Sequence, residues 1–346
     1  MQAQASNGLW EFFTFWLFTG SSLLGLPPGD RDPGLLNSVP PQTLIYFEWA
    51  SRGEGRPGAA GVDGFAADPE IRQFFELFEA ALAKHQGGDK VDPLHDDDPL
   101  HELRSELPQL AKLLAVHPGC LFAGFEPQLQ PQNRPIATLI STLISMLTGV
   151  HGGLILSCDQ DTDAIWKSLN QSLKSVPDFV FDEKSPTQTI PISVPGYQLV
   201  MHREGSRIIF ALGNGTLPRI LDGLSGRLPG LDTNPRFRQA LDHVSVPRVA
   251  SVGWVDGQGI VAGVTAALGP LGGMVRPVLT MIGIGALDHV VQSSGVDGDT
   301  MVQQTFVATG GRTDGVMVLA AGQPIQPQNF AHIPADADLY SPRASI

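Results

Sequence analysis

The order of apolar and polar residues predicts a mixture of strands and helices along the chain. Residues 38–49 begin with prolines and continue with β-branched and aromatic residues, which is typical of a strand. Ile165, Leu169 and Leu173 stand four residues apart, which predicts a helix over 161–175 with one apolar face. Further strands are predicted at 120–126, 153–158, 198–202, 207–212, 249–255, 286–294 and 300–308, and further helices at 68–84, 100–115, 135–148, from 216, from 234, 257–284 and 314–321.

A short pattern recurs at the start of several predicted elements. Asp68 and Asn234 are each followed by proline, which places a capping side chain directly before a residue suited to the first helical position. Val39 and Val246 each precede a proline that leads into a strand, and Ile333 begins a third copy. Because recurrence at regular intervals indicates repeated folding units, we interpret these segments as duplicated modules.

These elements predict an α+β fold, in which antiparallel sheets carry helices packed on one face and the module is wholly or partly duplicated. We assign residues 1–37 to a signal-like or anchor segment with its linker, and 38–245 to a first α+β module. Residues 246–332 form a second, partial module, and 333–346 are the start of a truncated further unit or a tail.

The N-terminal segment over residues 10–26 reads WEFFTFWLFTGSSLLGL and has the apolar character of a signal-peptide core or a short anchor. It is shorter than the roughly 20 apolar residues that a membrane-spanning helix needs. No Lys or Arg precedes Arg31, so the basic region that begins most signal peptides is missing. We expect an exported protein of the periplasm or cell envelope; an amphipathic first helix docked on the core is the alternative.

Composition narrows the classes of partner. The formal net charge is −13, and only 16% of residues are charged, against about 25% in typical soluble domains. Phosphate backbones repel an acidic surface, and the sequence has no basic stripe, so nucleic-acid binding is not expected.

One segment is a candidate metal site. His95, Asp96, Asp97, Asp98 and His101 lie together in an acidic stretch whose oxygen and imidazole groups are of the kind that bind hard cations. The stretch lacks the ligand spacing and the glycine of an EF-hand, so a solvated acidic loop is the simpler interpretation. No phosphate-binding glycine loop is present, and we expect no cofactor.

The chain contains two cysteines, Cys120 and Cys158. If the two strands that carry them pair antiparallel, the start of one lies beside the end of the other, which makes a disulfide a candidate in an oxidising compartment. In a reducing compartment both would be small buried apolar residues.

The NPRFRQAL helix that begins at Asn234, together with the proline-led strands after Val39 and Val246, resembles a widespread group of uncharacterised bacterial exported proteins. The segment PIQPQNFAHIPADADLY at 324–340 is similar to versions of planctomycete type. The resemblance covers roughly residues 39–340 and implies export and an α+β fold. It supplies no catalytic residues, and it implies a chain that continues beyond residue 346, so we expect truncation or a frameshift at the C-terminus.

The leading functional hypothesis is a non-enzymatic exported binding or scaffold protein whose partner is an unknown protein or envelope component. An envelope hydrolase that uses the dispersed residues Asp256, His289 and Asp299 is one alternative, and it requires these groups to converge in a pocket. A peripheral membrane protein anchored through residues 10–26 is the other.

Overall fold

The computed structural model describes residues 25–70, 116–126, 149–192, 197–268 and 284–311, except 56, 175, 177 and 183, together with the isolated residues 73, 272, 273, 277 and 279. Within these ranges the strands form one antiparallel sheet. The strands are β1 Ile45–Trp49, β2 Gly119–Phe125, β3 Val150–Ser157, β4 Thr187–Ile190, β5 Leu199–Glu204, β6 Arg207–Leu212, β7 Arg248–Asp256, β8 His289–Asp297 and β9 Thr300–Ala308. The helices are α1 Gly34–Ser38, α2 Gly61–Ala67, α3 Thr162–Leu173, α4 Thr216–Leu224, α5 Pro235–Leu241 and α6 Gly257–Ala267.

The strand order across the sheet is β4-β5-β6-β3-β2-β1-β7-β8-β9. Strand β1 lies near the centre, between β2 on one side and β7 on the other, and both pairings are antiparallel. Strands β8 and β9 form a hairpin on the β7 side, and β3, β6, β5 and β4 complete the sheet on the β2 side. The first strand of the predicted second module, β7, is therefore paired with the first strand of the predicted first module.

The α+β class with antiparallel strands is confirmed. Each strand predicted from the sequence is present, and one further strand, β4, was not anticipated because Thr187–Ile190 is short and polar. Helix α6 ends at Ala267, and most of the predicted helical stretch from there to 284 lies outside the described residues. The helices predicted at 100–115, 135–148 and 314–321, and most of the one at 68–84, lie outside the described residues. The division into modules at residue 246 stays a prediction.

Both faces of the central strands are covered by apolar side chains. Because successive residues of a strand point to opposite faces, Tyr46 and Phe47 enter different clusters. Helices α1, α4 and α5 pack on the Tyr46 face of the sheet, and the apolar side chains between them form the first core. Helix α3 packs on the Phe47 face, where the apolar side chains form the second core. The first core includes Leu35, Tyr46, Phe122, Ile155, Ile209, Ile220, Phe237, Trp254 and Val291; the second includes Phe47, Trp49, Leu156, Ile165, Met201 and Ile208.

Phe237 of helix α5 lies at the centre of the first core. Its ring meets Tyr46 at a centroid distance of 6.1 Å and Trp254 at 5.5 Å, edge to face in both cases. The Asn234 side chain accepts hydrogen bonds from the backbone N–H groups of Arg236 and Phe237, and its Nδ2 donates to the carbonyl of Pro41 at 2.8 Å. The cap therefore fixes both the start of the helix and the position of its buried aromatic ring.

We expect Phe237→Ala to lower the free energy of unfolding by about 3–5 kcal/mol, because it removes a fully buried ring that touches two other aromatic side chains. Urea denaturation followed by tryptophan fluorescence measures the change. Phe65→Ala is the matched control, since Phe65 is 56% exposed, and its change should stay within about 0.5 kcal/mol. Equal losses for the two variants would contradict this assignment of the core.

Candidate functional site

Two of the sequence-based candidates fall on parts of the chain that the structure does not describe. The candidate metal ligands His95, Asp96, Asp97, Asp98 and His101 all lie outside the described residues. The segment 10–26 is described only from Gly25 onward, so the anchoring hypothesis stays a prediction. Among the helices of the described ranges, none combines the length and apolar character needed to cross a membrane.

The two cysteines lie on opposite faces of the sheet, so the candidate disulfide is not formed. Their strands β2 and β3 pair antiparallel as expected. Cys120, however, stands opposite Ile155 and belongs to the first core, whereas Cys158 belongs to the second core beyond the end of β3. Both thiols are free and buried. Burial raises the pKa of Cys120 well above its usual range and that of Cys158 to about 11.

A buried acidic residue, Glu48, interrupts the apolar pattern of the central strand β1. Its carboxylate is only 3% exposed. Arg31 donates to Glu48 Oε1 through Nε at 2.9 Å and Nη2 at 2.7 Å, and the Tyr46 hydroxyl donates to Oε2 at 2.6 Å. Burial raises the pKa of Tyr46 well above its usual range, and the charge of Glu48 adds to this effect, so the phenol remains a donor.

Asp32, which follows Arg31 in the segment before α1, is also held to the sheet by an ion pair. Arg207 of β6 donates to both carboxylate oxygens, at 2.8 and 3.0 Å, and the hydroxyl of Ser157 and the backbone N–H of Gly34 also donate to this carboxylate. Burial alone would raise the pKa of Asp32, but the bonds from Arg207, Ser157 and Gly34 outweigh it and lower the pKa. Adjacent residues thus fasten the segment before α1 to β1 and to β6.

Arg236 joins helix α5 to strands β7 and β8. Its Nη1 lies 3.1 and 3.2 Å from the carboxylate oxygens of Asp256, and its Nη2 lies 2.5 Å from Asp288 Oδ1. Asp256 also accepts the backbone N–H of Gly259 at 2.9 Å and thereby caps α6. By binding both carboxylates, the Arg236 guanidinium holds the end of β7 and the start of β8 close to helices α5 and α6.

The structure brings together two of the three residues of the hydrolase hypothesis. Asp256 and His289 stand opposite each other in the β7–β8 register, and His289 Nδ1 lies 3.1 Å from Asp288 Oδ2. Asp299 lies in the β8–β9 turn, roughly 27 Å from His289 at ~3.4 Å per strand residue. Asp256, His289 and Asp299 therefore do not converge in one pocket, as the hydrolase alternative requires.

The surroundings of His289 are aromatic. Its ring centroid lies 5.1 Å from Trp254 and 5.9 Å from Phe306, and Phe306 stacks on the exposed His243 at 4.0 Å. A histidine beside a carboxylate is an acid–base element, but hydrolysis by covalent catalysis also needs a nucleophile within hydrogen-bond reach of that base. Within the described residues, His289 instead contacts Asp288 and aromatic rings.

The last described strand, β9, has an uncharged side that faces away from β8, which we call the β9 edge. Among the described strands, none pairs with this edge. The strand reads TMVQQTFVA and contains neither charge nor proline over its nine residues. Natural proteins usually shorten, charge or bend such an edge to prevent pairing with another chain. The opposite end of the sheet follows that rule, because β4 has four residues and lies between Pro186 and Pro191.

Exposed apolar side chains lie along the same strand. Met301 is 38% and Val307 is 44% exposed, and both point to the face opposite the first core. Helix α2 packs against β9 on this face, tied down by the ion pair between Asp63 and Arg248, and exposes Phe65. The β9 edge and these three apolar side chains together make up the candidate binding surface, which the sequence analysis did not identify.

Comparisons with known proteins leave the family open. No family model matches the chain, and no match was found among curated proteins. Two solved structures, crystal forms I and III of TP0453, are similar to it at 9% and 8% identity, each over 84% of this chain and over 84% and 85% of theirs. Their TM-scores are 0.35 and 0.34, too low to support an inference about function.

The stability contributed by Asp32 should depend on pH. Because its pKa is lowered in the folded state, the contribution is present above the usual value of 3.8 and is lost as the pH falls through the folded-state pKa. We expect Asp32→Asn to cost about 1–3 kcal/mol near neutral pH, and the difference from the unmodified protein should shrink below pH 3.8. Urea denaturation from pH 3 to 7 measures it. Asp30→Asn, at an exposed neighbouring position, is the control and should show no comparable loss.

Both thiols should be protected in the folded protein. With a pKa of about 11, Cys158 carries roughly one thiolate per thousand molecules at pH 8. Burial raises the pKa of Cys120 well above its usual range as well, so its thiol is also protonated. We expect slow reaction with a chromogenic thiol reagent in native buffer and release of both thiols in denaturant without reductant. Failure to detect thiols after denaturation, followed by their appearance on reduction, would instead demonstrate the disulfide.

Proposed function

We propose that this chain is an exported, non-enzymatic binding or scaffold protein of the cell envelope, and that it binds its partner through the β9 edge. The observation that carries the proposal is a long, uncharged strand at the end of the sheet formed by the described residues. Recognition by strand addition draws its affinity from backbone hydrogen bonds and its specificity from alternate side chains. The β9 edge supplies both elements.

The exposed apolar residues beside the edge support this proposal. Met301, Val307 and Phe65 lie on one face of the sheet, where a partner strand or loop that continues past the edge would cover them. Scattered exposed apolar residues are common on protein surfaces, but a group beside a strand edge with which no described strand pairs is typical of an interaction site.

The structural ion pairs of the charged residues also favour a binding role. Arg31, Arg207, Arg236 and Arg248 are each engaged by a carboxylate that is at least partly buried. These pairs fix helices and the N-terminal segment to the sheet, so their groups serve the architecture. The low charged fraction of 16% and the apolar segment at 10–26 support export.

We also propose that the chain is duplicated around the β1–β7 pair. Asp32 and Asn234 each accept a hydrogen bond from the N–H two residues ahead, at 2.8 and 3.0 Å, and each precedes a proline that opens a helix. Both helices pack in the first core and lead through Ser-Val-Pro into a central strand. From these strands β2 and β3 extend to one side and β8 and β9 to the other. This arrangement supports an approximate two-fold relation between the units.

Site-specific photocrosslinking in bacteria that express the full chain tests the binding surface. A photoreactive residue at Val307 should give covalent adducts in the envelope fraction. The same residue at Val180 is the control, because Val180 is 81% exposed but lies outside the β9 surface. Adducts from both positions at equal yield, or from neither, would overturn the proposal. Recovery of the protein only from the cytoplasmic fraction would overturn the proposed export.

A further inference from the structure

Helix α6 lies at one rim of the sheet, where strand termini meet, and we call this the α6 rim. Strand β7 ends there at Asp256, where the uncharged α6 begins, and β8 starts there at His289. The antiparallel registers bring the end of β2 at Phe125 and the start of β3 at Val150 to the same rim. These elements therefore share one region of the molecule.

Helix α6 packs its glycine side against the sheet. A Cβ atom at Gly259 would collide with the side chain of Leu44, the residue directly before β1. A Cβ atom at Gly263, one turn further along the helix, would lie 2.8 Å from the ring of Phe125. Because only glycine lets the helix backbone approach the sheet this closely, the side with Gly259 and Gly263 is the inner side of α6.

The larger apolar side chains of α6 lie on the side that faces away from the sheet. With 3.6 residues per turn, Val261, Val264 and Leu268 form one stripe, and Val261 and Leu268 stand about 200° and 180° around the axis from Gly259. We call these three residues the outer stripe; all three are half-exposed, and the buried residue of α6 is Gly257. A helix on the surface of a soluble domain normally has the reverse arrangement, with its large apolar residues toward the core.

The sequence at the α6 rim lacks acidic residues, although 35 of the 346 residues are Asp or Glu. Residues 257–287 contain Arg276 as their single charged residue. Residues 127–148, whose single charged residue is Arg134, leave the described fold after Glu126 and rejoin it at Gly149. The carbonyl of Gly149 accepts the N–H of Glu126 at 2.8 Å, so this stretch starts and ends at the same rim.

The acidic residues at the strand termini of the α6 rim are held in ion pairs. Glu126, directly after β2, pairs with Arg219 of α4 at 2.6 Å. Arg236 pairs with Asp256 at 3.1 Å and with Asp288 at 2.5 Å. The negative charges at this rim are therefore largely compensated by guanidinium groups.

The opposite rim of the sheet is acidic. Its exposed acidic residues follow β1, β3 and β8 and are Glu54, Asp159, Asp161, Asp297 and Asp299. The length of β8 separates the two rims by roughly 27 Å at ~3.4 Å per residue, which exceeds the ~8 Å screening length at physiological salt. An approach through the α6 rim therefore keeps these carboxylates away from the phosphate groups of a lipid surface.

We propose that the α6 rim binds a lipid surface, with the outer stripe of α6 at the boundary between head groups and acyl chains. Outward apolar residues, acid-free stretches and paired carboxylates at one rim, opposite an acidic rim, are the charge distribution that such a surface selects. Helix α6 has 11 residues, fewer than the roughly 20 that a membrane span needs, so it lies in the interface. This contact goes beyond the proposed β9 surface and does not depend on it.

Fluorescence quenching of the purified full chain on phosphatidylcholine vesicles tests the orientation. An environment-sensitive fluorophore on Val261→Cys should be quenched by spin-labelled lipid. Phe65→Cys is the matched control, because Phe65 is 56% exposed and lies on α2, whose Gly61 contacts Asp299 at the opposite rim; its fluorophore should stay unquenched. The natural cysteines are buried and do not compete for the label. Absence of quenching at residue 261, or equal quenching at both positions, would overturn the inference.

Vesicle flotation of charged variants tests the contribution of the outer stripe. The variant with Val261→Glu and Val264→Glu should bind the vesicles about tenfold more weakly or less, because it loses apolar burial and brings carboxylates to the head groups. The variant with Met301→Glu and Val307→Glu makes the same change of charge on β9 and should bind as the unmodified chain does. Urea denaturation of each variant checks that it is folded. Equal binding by all three proteins contradicts a contact through α6.

The outcomes separate this inference from the other proposals. Segment 10–26 joins the fold at Gly25, which contacts Ala50 and Ala250 at the opposite rim. Flotation that is accompanied by quenching at Phe65 alone therefore indicates anchoring through that segment and overturns the α6 contact. A chain that does not bind vesicles but still gives adducts at Val307 loses the lipid contact and keeps the β9 surface. Quenching at Val261 without adducts at Val307 leaves the lipid contact and overturns the β9 surface.

Discussion

The antiparallel pairing of β1 with β7 is the constraint on which the rest of the structure depends. Strand β1 is short, yet its residues are almost all buried, so its hydrogen-bond partners on both sides must be strands. Its Tyr46 face receives helices α1 and α5, and its Phe47 face packs in the core that α3 covers. Tyr46 and its cross-strand neighbour Trp254, which are 208 positions apart in the sequence, both contact Phe237 of helix α5.

Much of this fold was accessible from the sequence because strand and helix signals depend on local chemistry. The asparagine–proline start of α5 and the proline-led strands are local signals, and they identified the elements correctly. The order of strands in the sheet depends on contacts between distant residues, which a pattern of neighbours does not encode. Strand β4 was missed because its Thr187–Ile190 sequence is too short and polar to differ from a loop.

The candidate site was less predictable than the fold. Acidic and histidine residues are candidate reactive groups in the sequence, yet Asp256 caps a helix and binds Arg236, and Asp299 occupies a turn far from His289. Asp32-Pro33 repeats the Asn234-Pro235 pattern, so the sequence carries a local signal at Asp32. Arg207, the partner of Asp32, and Glu48, the partner of Arg31, become neighbours of this segment only in the folded sheet. The β9 edge is likewise defined by the position of β9 at the end of the described strand order, which the sequence alone does not specify.

The unequal ends of the sheet limit how large an assembly can become. A strand that associates with its own copy uses the same surface on both molecules, so the interaction is saturated after one step. Further growth would require the β4 end, where prolines on both sides of a four-residue strand discourage backbone pairing. An open-ended fibre, the usual hazard of an uncharged strand, is therefore disfavoured by the prolines at the β4 end of the described sheet.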